Sequence, residues 1–292
     1  MMREHTVTTS DGRRLGVLET GDPEGKPVVV HSGTPASKLP FPAWVRAAEK
    51  RGIRLISYDR PGYADSTALP GRTVADAARD VADVADALGA ERFAVLGASG
   101  GGPHALACAA LLPERVTGAA VLASVAPYPA DGLDWLAGMG DDNIAEFNAA
   151  LDGKDALEKF LTNQVEELRG VGPEELGEAL RSLLSPTDAA ALTGEVAEFL
   201  HASFLDAVRG GIDGWRDDDI AFTKHWGFEL DDIKVPVLLW HGIEDKFVPV
   251  SHGKWLGDHI PGVTAHVSDS DGHITIAVNR IGEVNAWLFD RD

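Results

Sequence analysis

The stretch VLGASGGGPHALACAA (95–110) puts one serine, Ser99, inside a cluster of glycines. A short apolar run leads into the cluster and the helix-forming HALACAALL follows it. A turn needs glycine, but it does not need a serine wedged among glycines. Gly97-Ala98-Ser99-Gly100-Gly101 fits the pattern G-x-S-x-G. That pattern is weak alone and strong between a strand and a helix. A sharp strand-to-helix turn forces the serine into strained backbone geometry that only small neighbours permit. The hydroxyl is then exposed at the C-terminal edge of a sheet. The N–H of Gly100 and the first helical turn aim at whatever that hydroxyl attacks.

Working outward, short apolar runs alternate with helical patterns. KPVVVHSG (26–33), IRLISYD (53–59), RFAVLGAS (92–99), GAAVLASV (118–125) and VPVLLWHG (235–242) read as buried strands bounded by glycine or proline. TVTTSDGRRLGVLET (6–20) reads as a hairpin turning at Asp11-Gly12. The clearest helix spans 73–88, where Val74, Ala78, Val81, Ala85 and Leu88 share one face. Asp76, Asp80, Asp83 and Asp86 read as its solvated face, with Thr73 as cap and Gly89 as stop. Such alternation predicts an α/β fold, a mostly parallel sheet with helices on both faces.

The rhythm breaks between 127 and 222, which is helical and carries Trp135, Phe147, Phe160, Phe199, Phe204 and Trp215. This region is read as a helical insertion, a lid covering the sheet edge, with its aromatics mostly in the core. The core domain is then 1–126 together with 223–292.

Bulk properties narrow the function. A chain of 292 residues, 44% hydrophobic, is an ordinary globular domain with an insertion. No uninterrupted apolar stretch approaches the roughly 18 residues of a membrane span, and the N-terminus lacks a signal-peptide core. The expected location is cytoplasmic. A net charge of −20 opposes binding to nucleic acid or to anionic membranes. The single cysteine, Cys108, excludes an internal disulfide or a multi-cysteine metal site and reads as a core residue.

A serine hydroxyl is a poor nucleophile until a base takes its proton. Ten histidines are available, and His273 in DSDGHITI (269–276) fits best. It follows a predicted strand and precedes a final helix over 274–289, and Gly272 lets the loop bend. His31 and His241 look structural. His104 has its backbone fixed on the helix just after Ser99 and cannot easily reach the hydroxyl. His5, His252, His259 and His266 look like surface residues, and His201 and His225 belong to the insertion or its edge. The base needs a carboxylate to fix its tautomer and stabilise the imidazolium. HGIEDKFVP (241–249) offers Asp245 directly after a strand, on the same sheet edge as Ser99; Glu244 should point elsewhere. HSGTPAS (31–37) follows the first central strand and offers the N–H of Thr34, or of Gly33, as a second oxyanion donor beside Gly100.

HSGTP, YDRPGYADS, GASGG, HGIEDKFVP and DGH, in that order over nearly the whole chain, resemble the α/β-hydrolase superfamily. The resemblance implies an eight-stranded sheet with a lid between strands six and seven. It also implies Ser99 as nucleophile, His273 as base and Asp245 as its orienter. Relatives with an aspartate nucleophile are excluded by Ser99. Two departures stand out. Gly33 lies one place later than the usual His-Gly of the oxyanion turn. Gly100 replaces a larger residue, which is expected to leave the pocket floor roomier.

The expected function is hydrolysis of an ester, or a related acyl bond, of a small organic molecule through an acyl-enzyme, with no metal and no organic cofactor. Alternatives are a proline iminopeptidase-like aminopeptidase holding its substrate's ammonium on Glu166, Glu167, Glu195 or Glu198, a C–C bond hydrolase, an acyltransferase, or a non-catalytic binding protein.

Overall fold

The computed structural model describes residues 2–291. Its strands are β1 Arg3–Thr8, β2 Arg14–Gly21, β3 Lys26–His31, β4 Ile53–Tyr58, β5 Phe93–Ala98, β6 Val116–Leu122, β7 Val237–Gly242 and β8 Thr264–Ser268. They form one sheet in the order β1-β2-β4-β3-β5-β6-β7-β8. Only β2 runs against its neighbours, β1 and β4, and the other pairings are parallel. The first hairpin closes through Gly12 at φ 85°. The expected eight-stranded α/β fold is therefore the fold observed.

The parallel strands carry the consequence for function. Their C-terminal ends lie on one edge, so the loops after β3, β5, β7 and β8 emerge side by side although they are far apart in sequence. Chain order reverses at β3, which has β4 on one side and β5 on the other. Open α/β sheets form a crevice at such a switch point.

Helices α1 Pro42–Arg51, α2 Asp76–Ala87, α3 Gly101–Leu111, α10 Val250–His259, α11 His273–Asn279 and α12 Ile281–Phe289 flank the sheet. Strand side chains alternate between two cores. Val29, Val95 and Val121 face α2 and α3, while Val28, Val30 and Leu96 face α1 and α12. Cys108 is buried in the first of these cores.

Between β6 and β7 the chain forms α4 Asp141–Asp152, α5 Lys154–Gly170, α6 Leu176–Ala179, α7 Pro186–Ala191, α8 Gly194–Ala207 and α9 Asp213–Phe222. All of these helices but α7 contribute to a third apolar cluster, including Leu157, Leu161, Leu176 and Trp215, which also takes in Tyr63 and Ile274 of the sheet-bearing part. Among the described residues no helix is long and apolar enough to cross a membrane.

Three local expectations need correction. Helix α2 begins at Asp76, not Thr73. The Thr73 N–H and hydroxyl donate to the Asp76 carboxylate at 2.8 and 3.0 Å, so the acid organises the entry turn. On the supposed solvated face, Asp80 is 1% exposed and accepts from Arg13 Nη2 at 2.5 Å. A partner 67 residues away is invisible to helical periodicity. The single final helix is two, broken at Arg280, because Asn279 and Arg280 both turn their side chains back to Asp271 at 2.6 and 2.9 Å.

Candidate active site

Strand β5 ends at Ala98 and α3 starts at Gly101, which leaves Ser99 and Gly100 to make the whole turn. Ser99 has φ 54°, the left-handed region that costs a residue with a β-carbon about 1–2 kcal/mol. Its N–H donates to Leu122 O of β6 at 2.8 Å, and its carbonyl accepts from the Gly102 N–H at 2.9 Å. A β-carbon on Gly97 would overlap the Gly101 backbone, and one on Gly101 would overlap the carbonyl of His31. The glycines are thus needed for close approach of β5, α3 and the end of β3, and the serine is what their turn presents.

His273 is the first residue of α11. Its Nδ1 lies 2.8 Å from Asp245 Oδ2. Asp245 is an acceptor only when ionised, so Nδ1 carries the proton and Nε2 is left free to accept. The other Asp245 oxygen accepts from the Val248 N–H at 2.8 Å. Burial opposes the charge on Asp245, but the His273 and His241 imidazoles outweigh it and hold the carboxyl at about 2. Burial likewise opposes protonation of His273, but Asp245, and then Asp188, raise its pKa above the ordinary value of 6.5. Phe247 stacks on the imidazole with ring centroids 4.5 Å apart, fixing its plane.

Gly272 is needed for a different reason from the one expected. Its φ is −103°, so any residue could make the bend. A β-carbon there would overlap the Asp188 carboxylate. Asp188, from α7, accepts the N–H groups of His273, Ile274 and Thr275 at 2.8, 3.0 and 2.9 Å, and the Thr275 hydroxyl at 3.0 Å. It caps α11 from 85 residues away. No local pattern could have found it, because helix caps are sought next to the helix.

The loop after β3 reaches the same place. The Ser99 Cβ lies 3.4 Å from the position a β-carbon on Gly33 would take. Arg60 donates to the carbonyls of Ser32 and Gly33 at 2.5 and 2.7 Å. In a trans peptide the N–H points opposite to its carbonyl. Drawing the Gly33 carbonyl toward Arg60 therefore turns the Thr34 N–H the other way. Among the described residues neither the Thr34 nor the Gly100 N–H has a protein acceptor. A β-carbon on Gly100 would overlap Thr34 Oγ1 and come within 3.2 Å of Phe222, so the expected roomier floor is instead filled by these two side chains.

Asp218, from α9, is the anchor of this loop. Buried completely, it accepts from Thr34 Oγ1 at 2.9 Å, Tyr63 OH at 2.8 Å, Arg60 Nη2 at 2.6 Å and Arg72 Nη1 at 2.6 Å. Burial alone would raise its pKa, but the two guanidinium groups push it well below the ordinary carboxylate range. His104 lies against it at 3.3 Å, so that imidazole is engaged away from Ser99 as expected. His31 is fully buried between Tyr58 OH and Cys108 Sγ, and His241 donates to Val248 O at 2.7 Å; both are structural. His252 is not a surface residue. It is fully buried, with the Ala126 N–H donating to Nδ1 at 3.1 Å and Nε2 bonded to Trp135 O at 2.8 Å. Glu244 does point elsewhere, to Thr187 Oγ1 at 2.6 Å.

Two cavities meet at Ser99. The larger, about 170 Å³, is mostly apolar, with Trp44, Leu55, Phe199 and Ile276 in its walls beside Gly33, Ser99 and His273. The smaller, about 100 Å³, holds Gly100, Phe222 and four carboxylates, those of Asp142, Glu146, Glu167 and Asp219. The insertion's aromatics therefore divide. Phe160 packs in its own core, whereas Phe147, Phe199, Phe204 and Trp215 border cavities. Of the acids considered for holding an ammonium, Glu195 is taken by Arg46 at the surface and only Glu167 reaches a cavity.

A strained strand-to-helix turn at the sheet's switch point, with a carboxylate-bound imidazole on the same edge, is the layout of an α/β hydrolase. The chain belongs to that family: its model, described as the alpha/beta hydrolase fold, matches residues 26–279. A pimeloyl-[acyl-carrier protein] methyl ester esterase of Nitrosomonas europaea is 30% identical over 283 residues, 92% of either chain. A 2-hydroxy-6-oxononadienedioate/2-hydroxy-6-oxononatrienedioate hydrolase of Paraburkholderia phymatum is 28% identical over 273 residues, 89% of this chain and 84% of the relative. Among solved structures, an alpha/beta hydrolase fold protein from Nakamurella multipartita superposes with a TM-score of 0.70 at 25% identity, over 99% of this chain and 98% of that one.

The cap on α11 can be tested directly. Asp188→Ala strands three N–H groups, two of them buried, and should cost about 2 kcal/mol, seen as a fall of several degrees in Tm by calorimetry. Asp188→Asn keeps one carbonyl acceptor and should lose less. An unchanged Tm in the alanine variant would show that the cap contributes little.

Proposed function

We propose that this protein is a serine hydrolase that cleaves an ester, or a related acyl bond, of a small organic molecule. The observation that carries the reading is that Ser99, the Asp245-bound imidazole of His273 and the Gly33–Thr34 loop line one cavity. Nε2 of His273 takes the Ser99 proton as Oγ attacks the carbonyl carbon. The imidazolium that forms is stabilised by Asp245. Negative charge builds on the carbonyl oxygen, and the N–H groups of Thr34 and Gly100 receive it; losing one such donor typically costs about 3–4 kcal/mol. His273 then returns its proton to the leaving alcohol, and water, activated by the same imidazole, releases the acyl group. No step calls for a metal or an organic cofactor.

The apolar cavity fits an aliphatic or aromatic substituent better than a charged one. The dienedioate named for the Paraburkholderia relative carries two carboxylates. Neither cavity is lined by a lysine or arginine among the described residues, so a dianion is disfavoured here. The ester named for the Nitrosomonas relative favours acyl–oxygen cleavage. Partners are thus small acyl compounds, and the net charge of −20 disfavours nucleic acid and anionic membrane surfaces.

A panel of p-nitrophenyl esters of increasing acyl length tests this. The wild type should turn over the short and medium chains, and Ser99→Ala should lose about 10⁴-fold or more of kcat. Retained activity in the variant would refute the nucleophile. The free imidazole is the active form, and its pKa is raised above 6.5. The acid limb of kcat/KM should therefore lie above pH 6.5, with activity lost as pH falls through it. In Asp245→Asn the limb should move to lower pH and the plateau fall by about 10⁴-fold. A limb unmoved by the substitution would exclude the pairing.

A further inference from the structure

The two cavities that meet at Ser99 differ in one respect that sets the direction of a bound ester. His273 lies in the wall of the larger cavity and lines no part of the smaller one. Gly100, whose N–H receives the oxyanion in the proposed reaction, lines only the smaller. Phe247 lines both, and its ring covers one face of the His273 imidazole with centroids 4.5 Å apart and planes 19° from parallel. The smaller cavity thus touches the ring that covers the base and not the base itself. The linings differ as well. Among the described residues no Asp, Glu, Lys or Arg lines the larger cavity. Asn143, Gln164 and Glu167 line the smaller one, where an extended alkyl chain would displace their water without replacing its hydrogen bonds.

We propose that the larger cavity receives the alcohol half of the ester and the smaller one its acyl half, so that the substrates join a short acyl group to a longer apolar alcohol. This rests on the serine-hydrolase reading and adds a direction to it. In the tetrahedral intermediate the former carbonyl carbon carries Ser99 Oγ, the oxyanion, the alcohol oxygen and the acyl chain. As the bond from that carbon to the alcohol oxygen breaks, the oxygen takes the proton that Nε2 of His273 took from Ser99. Transfer needs the oxygen within about 3 Å of Nε2, and only the larger cavity has the base in its wall. With the oxyanion on Thr34 and Gly100, the direction left to the acyl chain is the smaller cavity. The second step makes the same demand. The water that releases the acyl group gives a proton to Nε2, so it must stand where the alcohol stood. An acyl chain filling the larger cavity would exclude it.

Hexyl acetate and methyl heptanoate are isomers that carry the same alkyl length on opposite sides of the ester, and they test the assignment with p-nitrophenyl acetate as reference. The kcat/KM of hexyl acetate should exceed that of methyl heptanoate by about tenfold or more. Val196 lines only the larger cavity and Ala179 only the smaller. In Val196→Phe the ratio of hexyl acetate to ethyl acetate should fall about fivefold or more, and in Ala179→Leu the ratio of ethyl butanoate to ethyl acetate should fall likewise. Methyl heptanoate turned over as well as hexyl acetate or better would overturn the assignment. So would ratios that stay unmoved or respond to the opposite substitution, or no turnover of hexyl acetate by enzyme active on p-nitrophenyl acetate. If a variant does not fold, the isomer pair decides alone. Enzyme that turns over p-nitrophenyl acetate but does not prefer hexyl acetate removes the direction and leaves the serine hydrolase standing. Folded enzyme inactive on p-nitrophenyl acetate removes both.

Discussion

The backbone of Ser99 is the constraint on which the rest of the site depends. At φ 54° the residue sits in a conformation that a β-carbon disfavours, and it is held there from several directions. Its N–H is bonded to β6, and glycines at 97 and 101 let α3 and the end of β3 crowd against the turn. A relaxed turn would release the local cost and reorient the side chain that now lines the cavity. The parallel strand order then settles which other loops can approach it. Those after β3, β7 and β8 end on the same edge, and they bring Gly33 and Thr34, Asp245 and His273.

The helices between β6 and β7 reach into the site. Two buried aspartates from them hold the two most important loops in place. Asp188 gathers three successive N–H groups at the start of α11 and so sets where His273 begins its helix. Asp218 binds Arg60, which in turn fixes the Ser32 and Gly33 carbonyls and turns the Thr34 N–H away from them. Removing one member of such a buried ionic cluster leaves unpaired charge behind, a loss of about 3–5 kcal/mol. The inserted helices and the sheet are therefore one electrostatic unit at the site, although they are separate runs in the sequence.

Much of this was legible in the chain itself. G-x-S-x-G between a strand and a helix located Ser99, strand ends located Asp245 and Thr34, and a glycine before a histidine located His273. These features are local, and local physics suffices to read them. What escaped were contacts over long separations. Asp80 looked solvated because its partner, Arg13, lies in the first hairpin. His252 looked like a surface residue because its partners, Ala126 and Trp135, are more than a hundred positions away. YDRPGYADS was noticed as a carrier of family resemblance, yet the work of its Arg60 and Tyr63 became visible only with Asp218 beside them. The contact of Glu146 with Asp219 gave no sequence signal, because it joins α4 to α9, far apart in the chain.

The central claim is that Ser99 is made nucleophilic by a carboxylate-bound imidazole. Intact-mass spectrometry after exposure to a fluorophosphonate reads this directly. The account predicts a single adduct, mapped by peptide sequencing to Ser99, forming rapidly in the wild type and at least a hundredfold more slowly in His273→Ala. Folded wild-type protein that takes no label, or labels as fast without the imidazole, would contradict it.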